Sequence, residues 1–419
     1  METSDFTIVR ELARQLCEIA HAPRYSIARE KWKRHNDLMG DKEPLLWICP
    51  DDDGGWRELI PDTVLQCKDA DLRLLEWQLR KWIYHDAHFQ DDYVIEPMVR
   101  FDIPGEYTGY TYGDGKQRYA WGIPIIGADI SKQAYHMQDY LSEPGNLEKL
   151  LAHEVDFLVD WPRYQTLSNL YQQALDGIIE VEFTLPYVVL VQSLLIELVH
   201  LRGLSELMYD LYDNTEMLHA VMDHMSVSKA ALLDRLEQEH RLFDNRSNIY
   251  TGSGGLGYTM DRGAPSQKIM LKDMWGFADS QEFSDVSPEM FEEFALQYQK
   301  RGLSKFGRAC YGCCEPLDNK FDRIFAALPN VRRLSVSPWS NIEIAAENIG
   351  TRAVYSWKPN PAKICTGVDE EEVSALLQRL KKATSGQCYA EIILKDVRTC
   401  GGTPKHMQRF VEMVHKKLC

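Results

Sequence analysis

The chain has 419 residues, of which 44% are hydrophobic and 26% are charged, a composition typical of a globular protein with one large or two moderate domains. Its 47 Lys and Arg residues oppose 63 Asp and Glu residues, so the formal net charge is -16. The electric field of this negative charge repels phosphate backbones and anionic lipid headgroups, which excludes nucleic acids and membrane surfaces as expected partners.

The sequence predicts neither a membrane span nor an export signal. Its most apolar stretch, residues 185–199, is about 15 residues long and contains Gln192 and Glu197, which makes it too short and too polar to cross a bilayer. The opening METSDFTIVRELARQL has acidic residues where a signal peptide has basic ones. We therefore expect a cytoplasmic protein whose ten cysteines are thiols.

The first hundred residues predict mostly helices. Apolar periodicity indicates an amphipathic helix near residues 5–19 and another at 71–84, with a basic segment at 29–35 between them. The apolar run at 44–49 before PDDDGG predicts one strand. Residues 105–122, dense in Gly and aromatic residues, predict a loop or hairpin.

From residue 178 the pattern becomes regular. Residues 178–183 predict a strand, and the segment after Pro186 is apolar all round, as in a helix buried against a sheet. Two amphipathic helices follow, one from Leu204 and one near Met217. Asp213 and Glu216 have the form of a capping box, which predicts where the second helix starts.

The last 110 residues alternate strands and helices. Strands are predicted at 308–312, 332–337, 352–357 and 389–395, and helices at 318–328, 340–348, 370–383 and 404–416. This βα repetition indicates a parallel sheet, and chemical residues in short loops at strand ends are typical of a TIM barrel. We therefore predict an α/β fold, a TIM (β/α)8 barrel over residues 101–419, with residues 1–100 as an N-terminal helical segment packed on it.

An open doubly wound sheet is the alternative to the barrel. No dinucleotide-binding or P-loop motif follows a predicted strand, and the glycine-rich stretch 252–257 comes closest. It lacks the P-loop lysine, so a flexible active-site loop is the expected role of this stretch.

Cysteines follow two of the late predicted strands. Cys313 and Cys314 come after the strand at 308–312, and Cys400 comes after the last strand. Thiolates suit Zn²⁺, and a catalytic zinc site needs about three protein ligands with one position open. In a barrel these strand ends share one face, where the cysteines would converge. The alternative is that they are small core residues, since free cysteine is often buried.

Six sequence blocks resemble a known family. They are Leu185-Pro186-Tyr187-Val188-Val189, YDLYDNTEMLHAVMD at 209–223, SPEMFEEF at 287–294, CYGCCE at 310–315, Trp357-Lys358-Pro359-Asn360-Pro361, and TCGGTP at 399–404. In order and spacing they resemble the uroporphyrinogen decarboxylase superfamily, and within it the branch of zinc- and corrinoid-linked methyltransferases.

The resemblance implies a TIM barrel and a particular chemistry. It implies transfer of a methyl group between a small methylated compound and a cobamide carried on a separate corrinoid protein, assisted by zinc. Cys313 and Cys400 stand at the ligand positions of the family, whereas Tyr311 stands in place of its histidine. Glu315 or Cys314 is therefore expected to supply the third metal bond. The arginine-bearing N-terminal segment of the decarboxylases is missing, which disfavours haem-pathway decarboxylation.

Further candidate site residues lie near predicted strand ends. Glu182 and Glu180 alternate along one strand and so share a face, where they would serve as acid, base or ligand, or form a salt bridge at the rim. The candidate acids or bases are Glu315 and Glu182, and the candidate substrate-binding residues are Tyr311, Trp339, Trp357, Lys358 and Asn360.

Three classes of function remain open at this point. The first is the methyltransferase, with zinc or an acid at Cys313, Glu315 and Cys400 activating donor or acceptor. The second is a cofactor-free lyase or decarboxylase that uses protonation by Glu182 or Glu315. The third is a catalytically idle barrel that serves as a binding partner.

Overall fold

The computed structural model describes residues 4–110, 117–126, 138–261 and 268–418. The strands are β1 Leu45–Pro50, β2 Met98–Asp102, β3 Gly105–Tyr107, β4 Gln117–Ala120, β5 Ile123–Ile126, β6 Phe157–Val159, β7 Glu180–Thr184, β8 Trp275–Ala278, β9 Arg308–Tyr311, β10 Val331–Val336, β11 Val354–Trp357 and β12 Tyr389–Val397. The predicted loop or hairpin at 105–122 falls partly outside the described residues, and its described part contains β3 and β4.

Helices connect and cover these strands. They are α1 Ser4–Ala20, α2 Pro23–Asn36, α3 Gly55–Leu59, α4 Ala70–His88, α5 Asn146–Ala152, α6 Trp161–Leu175, α7 Tyr187–Leu190, α8 Leu194–Arg202, α9 Leu204–Asp213, α10 Thr215–Gln238, α11 Pro288–Phe291, α12 Gln297–Leu303, α13 Phe321–Ala327, α14 Ile342–Ile349, α15 Glu370–Thr384 and α16 Lys405–Leu418. Short 3-10 turns lie at Asp62–Val64, Leu271–Asp273, Gln281–Phe283 and Pro361–Lys363, and a π-helical turn lies at Glu292–Leu296. In the described part of the chain, no helix has the length and apolarity that crossing a membrane requires.

A six-stranded parallel sheet is the centre of the fold. Its order is β1-β12-β11-β10-β9-β8, and β2 and β7 form a second, two-stranded parallel sheet. Such strands are buried on both faces, as β12 is with eight of its nine residues buried. The order runs without the reversal that marks a doubly wound sheet.

The α/β class is therefore confirmed, and the closed barrel is not. Among the described residues, no ladder joins the six-stranded parallel sheet to the two-stranded one. An isolated bridge pairs Val191, which follows α7, with Phe277 of β8. The division at residue 100 stays a prediction. The first hundred residues contribute β1 to the main sheet, where it pairs with β12.

Two local predictions were wrong. The single apolar helix after Pro186 is interrupted between α7 and α8, because the backbone of Val191 pairs with Phe277 and Gln192 N donates to Phe277 O at 2.8 Å. The capping box at Asp213 is also absent. Helix α10 has Asn214 at its N-cap with no side-chain cap, since the Asn214 amide donates to Asp210 Oδ1 at 2.8 Å instead.

A polar network lies buried inside the main sheet. Arg333 of β10 and Glu391 of β12 form an ion pair with Nε and Oε1 2.9 Å apart, and the two side chains are 1% and 0% exposed. Arg333 also donates to Asn36 Oδ1 at 2.7 Å and to Thr251 Oγ1 at 2.6 Å. Burial raises the pKa of Glu391, but Arg333, His35 and Lys358 together outweigh this effect and the pKa falls to about 2. The pair is thus ionised and joins two strands, a helix and a loop.

Replacing Glu391 by Gln should destabilise the fold by about 3–5 kcal/mol, because Arg333 is left buried without its counter-charge. Glu343→Gln is the matched control, since its bidentate bond with Arg379 lies at the surface and exposed pairs contribute little. Urea unfolding followed by circular dichroism measures both. Equal losses in the two variants would show that the buried pair has no special role.

Candidate functional site

A cavity of about 640 Å³ opens at the carboxyl ends of strands from both parallel sheets. Residues at or just after the ends of β1, β2, β7, β8 and β12 line it. Its charged lining residues are Asp51, Asp52, Lys81, Glu96, Arg100, Asp102, Lys395 and Asp396. A concave site with apolar walls and a few polar groups at strand ends is where ligands bind in parallel α/β proteins.

Ten aromatic side chains line the cavity. They are Trp47, Trp56, Trp82, Tyr93, Phe101, Tyr187, Phe243, Tyr250, Trp275 and Phe277. Six of them follow one another as neighbours, in the order Trp82, Tyr93, Trp47, Tyr250, Tyr187 and Phe277. Their successive ring centroids are 4.7, 5.3, 5.7, 6.0 and 5.9 Å apart. We call these six residues the aromatic band.

A pair of thiols lies at one end of the aromatic band. Cys313 packs against a cluster that contains Phe277 and Val191, and its Sγ lies 3.6 Å from Sγ of Cys314. Lys395, which lines the cavity, places Nζ 3.7 Å from Cys313 Sγ. Cys314 Sγ lies 3.9 Å from Oδ2 of Asp396, another lining residue. The βα loop after β9 thus contacts the end of β12 beside the cavity, through two lining residues, although neither cysteine belongs to the described lining.

The thiol pair is arranged to hold one thiolate. The hydrogen bond from Cys313 lowers the pKa of Cys314 to about 7, and Lys395 adds to this effect against the opposing effect of burial. The pKa of Cys313 is raised, first because its proton is held in that bond and then by burial. Thiolate is the nucleophilic form of cysteine, so the lowered pKa favours Cys314 as the nucleophile of the pair.

The backbone at Asp396, near the end of β12, is strained. Asp396 has φ of 57°, a left-handed conformation that is uncommon outside glycine and clusters at functional sites. Lys395 Nζ is 2.6 Å from Asp396 Oδ2. Burial lowers the pKa of Lys395, but Cys313 and Asp396 raise it above its usual range, so the ammonium stays charged beside the sulfur atoms.

Three acidic residues, Asp279, Glu282 and Glu315, lie in the segments that follow β8 and β9. Burial and then Asp279 raise the pKa of Glu315 to about 8, and the same two causes raise that of Glu282 to about 8. Both carboxyl oxygens of Glu315 accept backbone N–H groups at 2.9 Å, from Ser280 and from Cys313. Glu315 therefore joins the loops after β8 and β9, and it does not cap α13, which begins six residues later at Phe321.

Four of the predicted substrate-binding residues have different surroundings in the structure. Tyr311 is buried, and its hydroxyl bonds Ser280 Oγ at 2.7 Å and Gln299 Oε1 at 2.6 Å. Trp357 is a core residue and Trp339 is 70% exposed. Asn360 caps the 3-10 turn after β11 through Ala362 N at 3.0 Å. None of these four belongs to the described lining of the cavity.

Lys358 and Glu182 have defined partners. Lys358 is buried at the end of β11, where Nζ donates to Ser356 O at 3.0 Å, and burial lowers its pKa to about 7. Glu182 accepts from Arg100 Nε at 2.6 Å, directly across the β2–β7 ladder. This is the salt bridge expected as the alternative for Glu182, and its partner Arg100 lines the cavity.

The predicted zinc ligands do not form one donor set. Cys400 is fully buried, with Sγ 3.8 Å from Gly55 O and its backbone N–H held by Glu58 at 2.8 Å. Its surroundings therefore differ from those of Cys313 and Cys314. Within the described ranges, no group of three or more His, Cys, Asp or Glu residues is placed to hold a metal ion. These residues do not fit a catalytic zinc site as arranged.

Sequence reasoning missed most of the cavity wall. Trp47, Trp82, Tyr93 and Tyr250 belong to segments without a catalytic motif, and only their convergence in space makes them a site. Lys395 was detectable in principle, because a lysine followed by aspartate at the end of a buried apolar strand is unusual. The expected flexible loop at 252–257 is instead buried against the sheet, although Gly252 does line the cavity.

Comparisons with known proteins give little further information. No protein-family model matches the chain, and no curated protein matches it. A solved methyltransferase from Methanosarcina mazei is similar, with a TM-score of 0.46 and 11% identity over 93% of this chain and 97% of that chain. A likeness of this strength identifies neither a family nor an activity.

Alkylation by iodoacetamide should modify Cys314 before Cys313, with a rate that rises through about pH 7 as Cys314 loses its proton. Cys313→Ala removes the hydrogen bond to the thiolate, so modification of Cys314 at pH 7 should become slower. Cys17→Ala, on helix α1, is the control and should leave the rate unchanged. Peptide mass spectrometry over a pH series measures each site, and faster labelling of Cys313 would contradict the assignment.

Proposed function

We propose that the protein is a methyltransferase, which moves a methyl group between a small methylated compound bound in the cavity and a cobamide carried on a separate corrinoid protein. The observation that carries the proposal is the thiol pair beside Lys395 at the end of the aromatic band. It supplies a nucleophile that can take up a methyl group next to a site that can hold the donor.

The cavity suits a small, weakly polar donor. Ten aromatic residues line it, and methyl groups are well accommodated by apolar and aromatic walls. Tyr187 leaves 45% of its surface exposed although it stands in the wall. Part of this residue is therefore accessible for contact with a donor.

The thiolate of Cys314 is the proposed first methyl acceptor. A cysteine with a lowered pKa next to a cation is an activated nucleophile. Its sulfur would attack the methyl carbon as the donor retains the electron pair of the broken bond. Lys395 would stabilise the thiolate before attack, and Cys313 would hold it by hydrogen bonding. The cobamide, as the second substrate, would supply the cobalt nucleophile that removes the methyl group and restores the thiolate.

A lyase acting without a cofactor is the second candidate. The raised pKa values of Glu315 and Glu282 favour it, because carboxylic acids that keep their protons near neutral pH can protonate a carbanion or leaving group. Against it, both oxygens of Glu315 already accept backbone N–H groups. The methyltransferase explains the thiol pair, which the lyase leaves without a role.

Methyl transfer is tested by incubating the protein with a panel of methyl ethers, methylamines, ammonium salts and thioethers, with and without a reduced corrinoid protein. We expect methylation of the cobamide, seen by absorbance, and S-methylation of Cys314, seen by mass spectrometry when the corrinoid protein is left out. Cys314→Ala should reduce the rate by on the order of 10³ or more, because the nucleophile is removed. Cys17→Ala is the control, and full activity in Cys314→Ala would rule out the proposed acceptor.

The lyase gives a different result in the same samples. It predicts loss of substrate without any methylated product, and a rate that falls by about 10² or more in Glu315→Gln, because a carboxylic acid is replaced by a group that does not give up a proton. Product analysis by nuclear magnetic resonance separates the two candidates. Methylated cobamide formed at the wild-type rate by Glu315→Gln would exclude Glu315 as an acid in either reaction.

A further inference from the structure

The charges around the cavity are unbalanced. Five carboxylates line it, namely Asp51, Asp52, Glu96, Asp102 and Asp396, against the three cations Lys81, Arg100 and Lys395. The lining therefore has a formal charge of -2, from five negative and three positive groups. It lies within a chain whose net charge is -16, so the surrounding field has the same sign.

Each cation of the described lining is already paired with a carboxylate. Lys81 Nζ is 3.0 Å from Asp52 Oδ1, and Lys395 Nζ is 2.6 Å from Asp396 Oδ2. Arg100 is held by Glu182 at 2.6 Å and by Glu96 at 3.1 Å. An anionic ligand would have to displace one of these pairs. Of the two carboxylates in excess, Asp51 pairs with Arg398 outside the lining, Nε to Oδ2 3.2 Å, so Asp102 is the one that offers its charge to a cationic ligand.

The aromatic band provides the other half of a cation site. Ring faces carry negative potential and attract ammonium groups within about 6 Å of the centroid. The protein uses this attraction at the far end of the band, where Lys81 Nζ lies 4.7 Å from the centroid of Trp82. At the thiol end, Tyr187 and Tyr250 stand edge to face with centroids 6.0 Å apart, and Tyr187 keeps 45% of its surface exposed.

We infer that the methyl donor is a methylated onium cation, a quaternary ammonium or a sulfonium, which binds against Tyr187 and Tyr250 with a methyl group toward the thiol pair. This inference rests on the proposed methyl transfer and names its substrate class. The surplus carboxylates select the charge, and the ring faces contact the methyl groups that carry it.

The chemistry of an onium donor matches what the site contains. Cys314 thiolate supplies the electron pair for the new sulfur–carbon bond, and the carbon–nitrogen or carbon–sulfur bond breaks with its pair left on the heteroatom. A cation and a thiolate thus become a neutral amine or sulfide and a neutral S-methylcysteine. The leaving group needs no proton and no Lewis acid, which agrees with a site whose thiols do not form a metal donor set.

Binding is measured apart from turnover, by isothermal titration calorimetry on the full-length Cys314→Ala variant, which cannot be methylated at that position. The probes are choline, its dimethylsulfonium analogue, dimethylbutanol as the neutral carbon isostere of choline, and trimethylacetate as an anion of similar shape. We expect either onium probe to bind about tenfold more tightly than the neutral isostere, with no measurable binding of the anion. The ratio of the dissociation constants of choline and its sulfonium analogue shows whether the site prefers an ammonium or a sulfonium.

Variants locate the site. Tyr187→Leu should abolish the preference for the cations by removing the ring, whereas Tyr187→Phe keeps the ring and should keep the preference. Trp339→Leu, which changes an exposed aromatic residue outside the described lining, is the control. If Tyr187→Leu fails to fold, Asp396→Asn tests the contribution of negative charge in the lining. This variant should also weaken the preference for cationic probes.

The outcomes separate this inference from the proposed function. Equal or tighter binding of dimethylbutanol or trimethylacetate overturns the inference, even if wild-type protein demethylates a neutral methyl ether. Selective onium binding that is lost in Tyr187→Leu supports it. Onium binding without methylation of Cys314 or of a cobamide in the wild-type protein would leave the cation site established and overturn the methyl transfer.

Discussion

The ion pair between Arg333 and Glu391 is the constraint on which the rest of the structure depends. It spans from β10 to β12 in the interior, with the Ser356 hydroxyl of β11 also bonded to Glu391. A buried charge is tolerated only when it is paired and hydrogen-bonded, so the segments that supply partners are fixed with it. Thr251 is one such partner. Gly255 packs so closely that an added Cβ would lie 2.7 Å from Arg333 Cζ, so a larger residue at this position would displace the ion pair.

The same strands carry the chemistry at their carboxyl ends. Register along β12 places Glu391 in the interior beside Arg333 and, four residues later, Lys395 at the cavity. The ladder from β8 to β9 likewise sets Phe277 opposite Cys310, so that the loop after β9 brings Cys313 onto the band. The interior ion pair fixes strand register, and strand register fixes the distance between an ammonium and a thiol.

The sequence predicted the repetitive parts of the fold well and the site only in part. The parallel strands β10 and β12 are mostly buried and are separated by helices and turns, and their boundaries were predicted to within about two residues. The segment after Pro186 was predicted wrongly, because its interruption at Val191 depends on a backbone pairing with β8 that local periodicity does not encode. Cys313 and Cys314 were identified from their position after a strand. Their partner Lys395 was not, since that contact joins residues 82 positions apart.

The departure of the thiol site from the predicted zinc site changes the chemistry that the cavity favours. A zinc ion activates a substrate thiol or polarises a leaving group, so it serves donors that leave poorly. The ammonium of Lys395 lies 3.7 Å from Cys313 Sγ and helps to lower the pKa of Cys314, but it polarises nothing on the donor. The carboxyl oxygens of Glu315 are engaged with backbone N–H groups, which limits proton donation to a leaving group. In the proposed methyl transfer, an activated sulfur with little help for the leaving group needs a donor that carries its own activation as positive charge. The aromatic, negatively charged lining is the environment that we propose for such a donor.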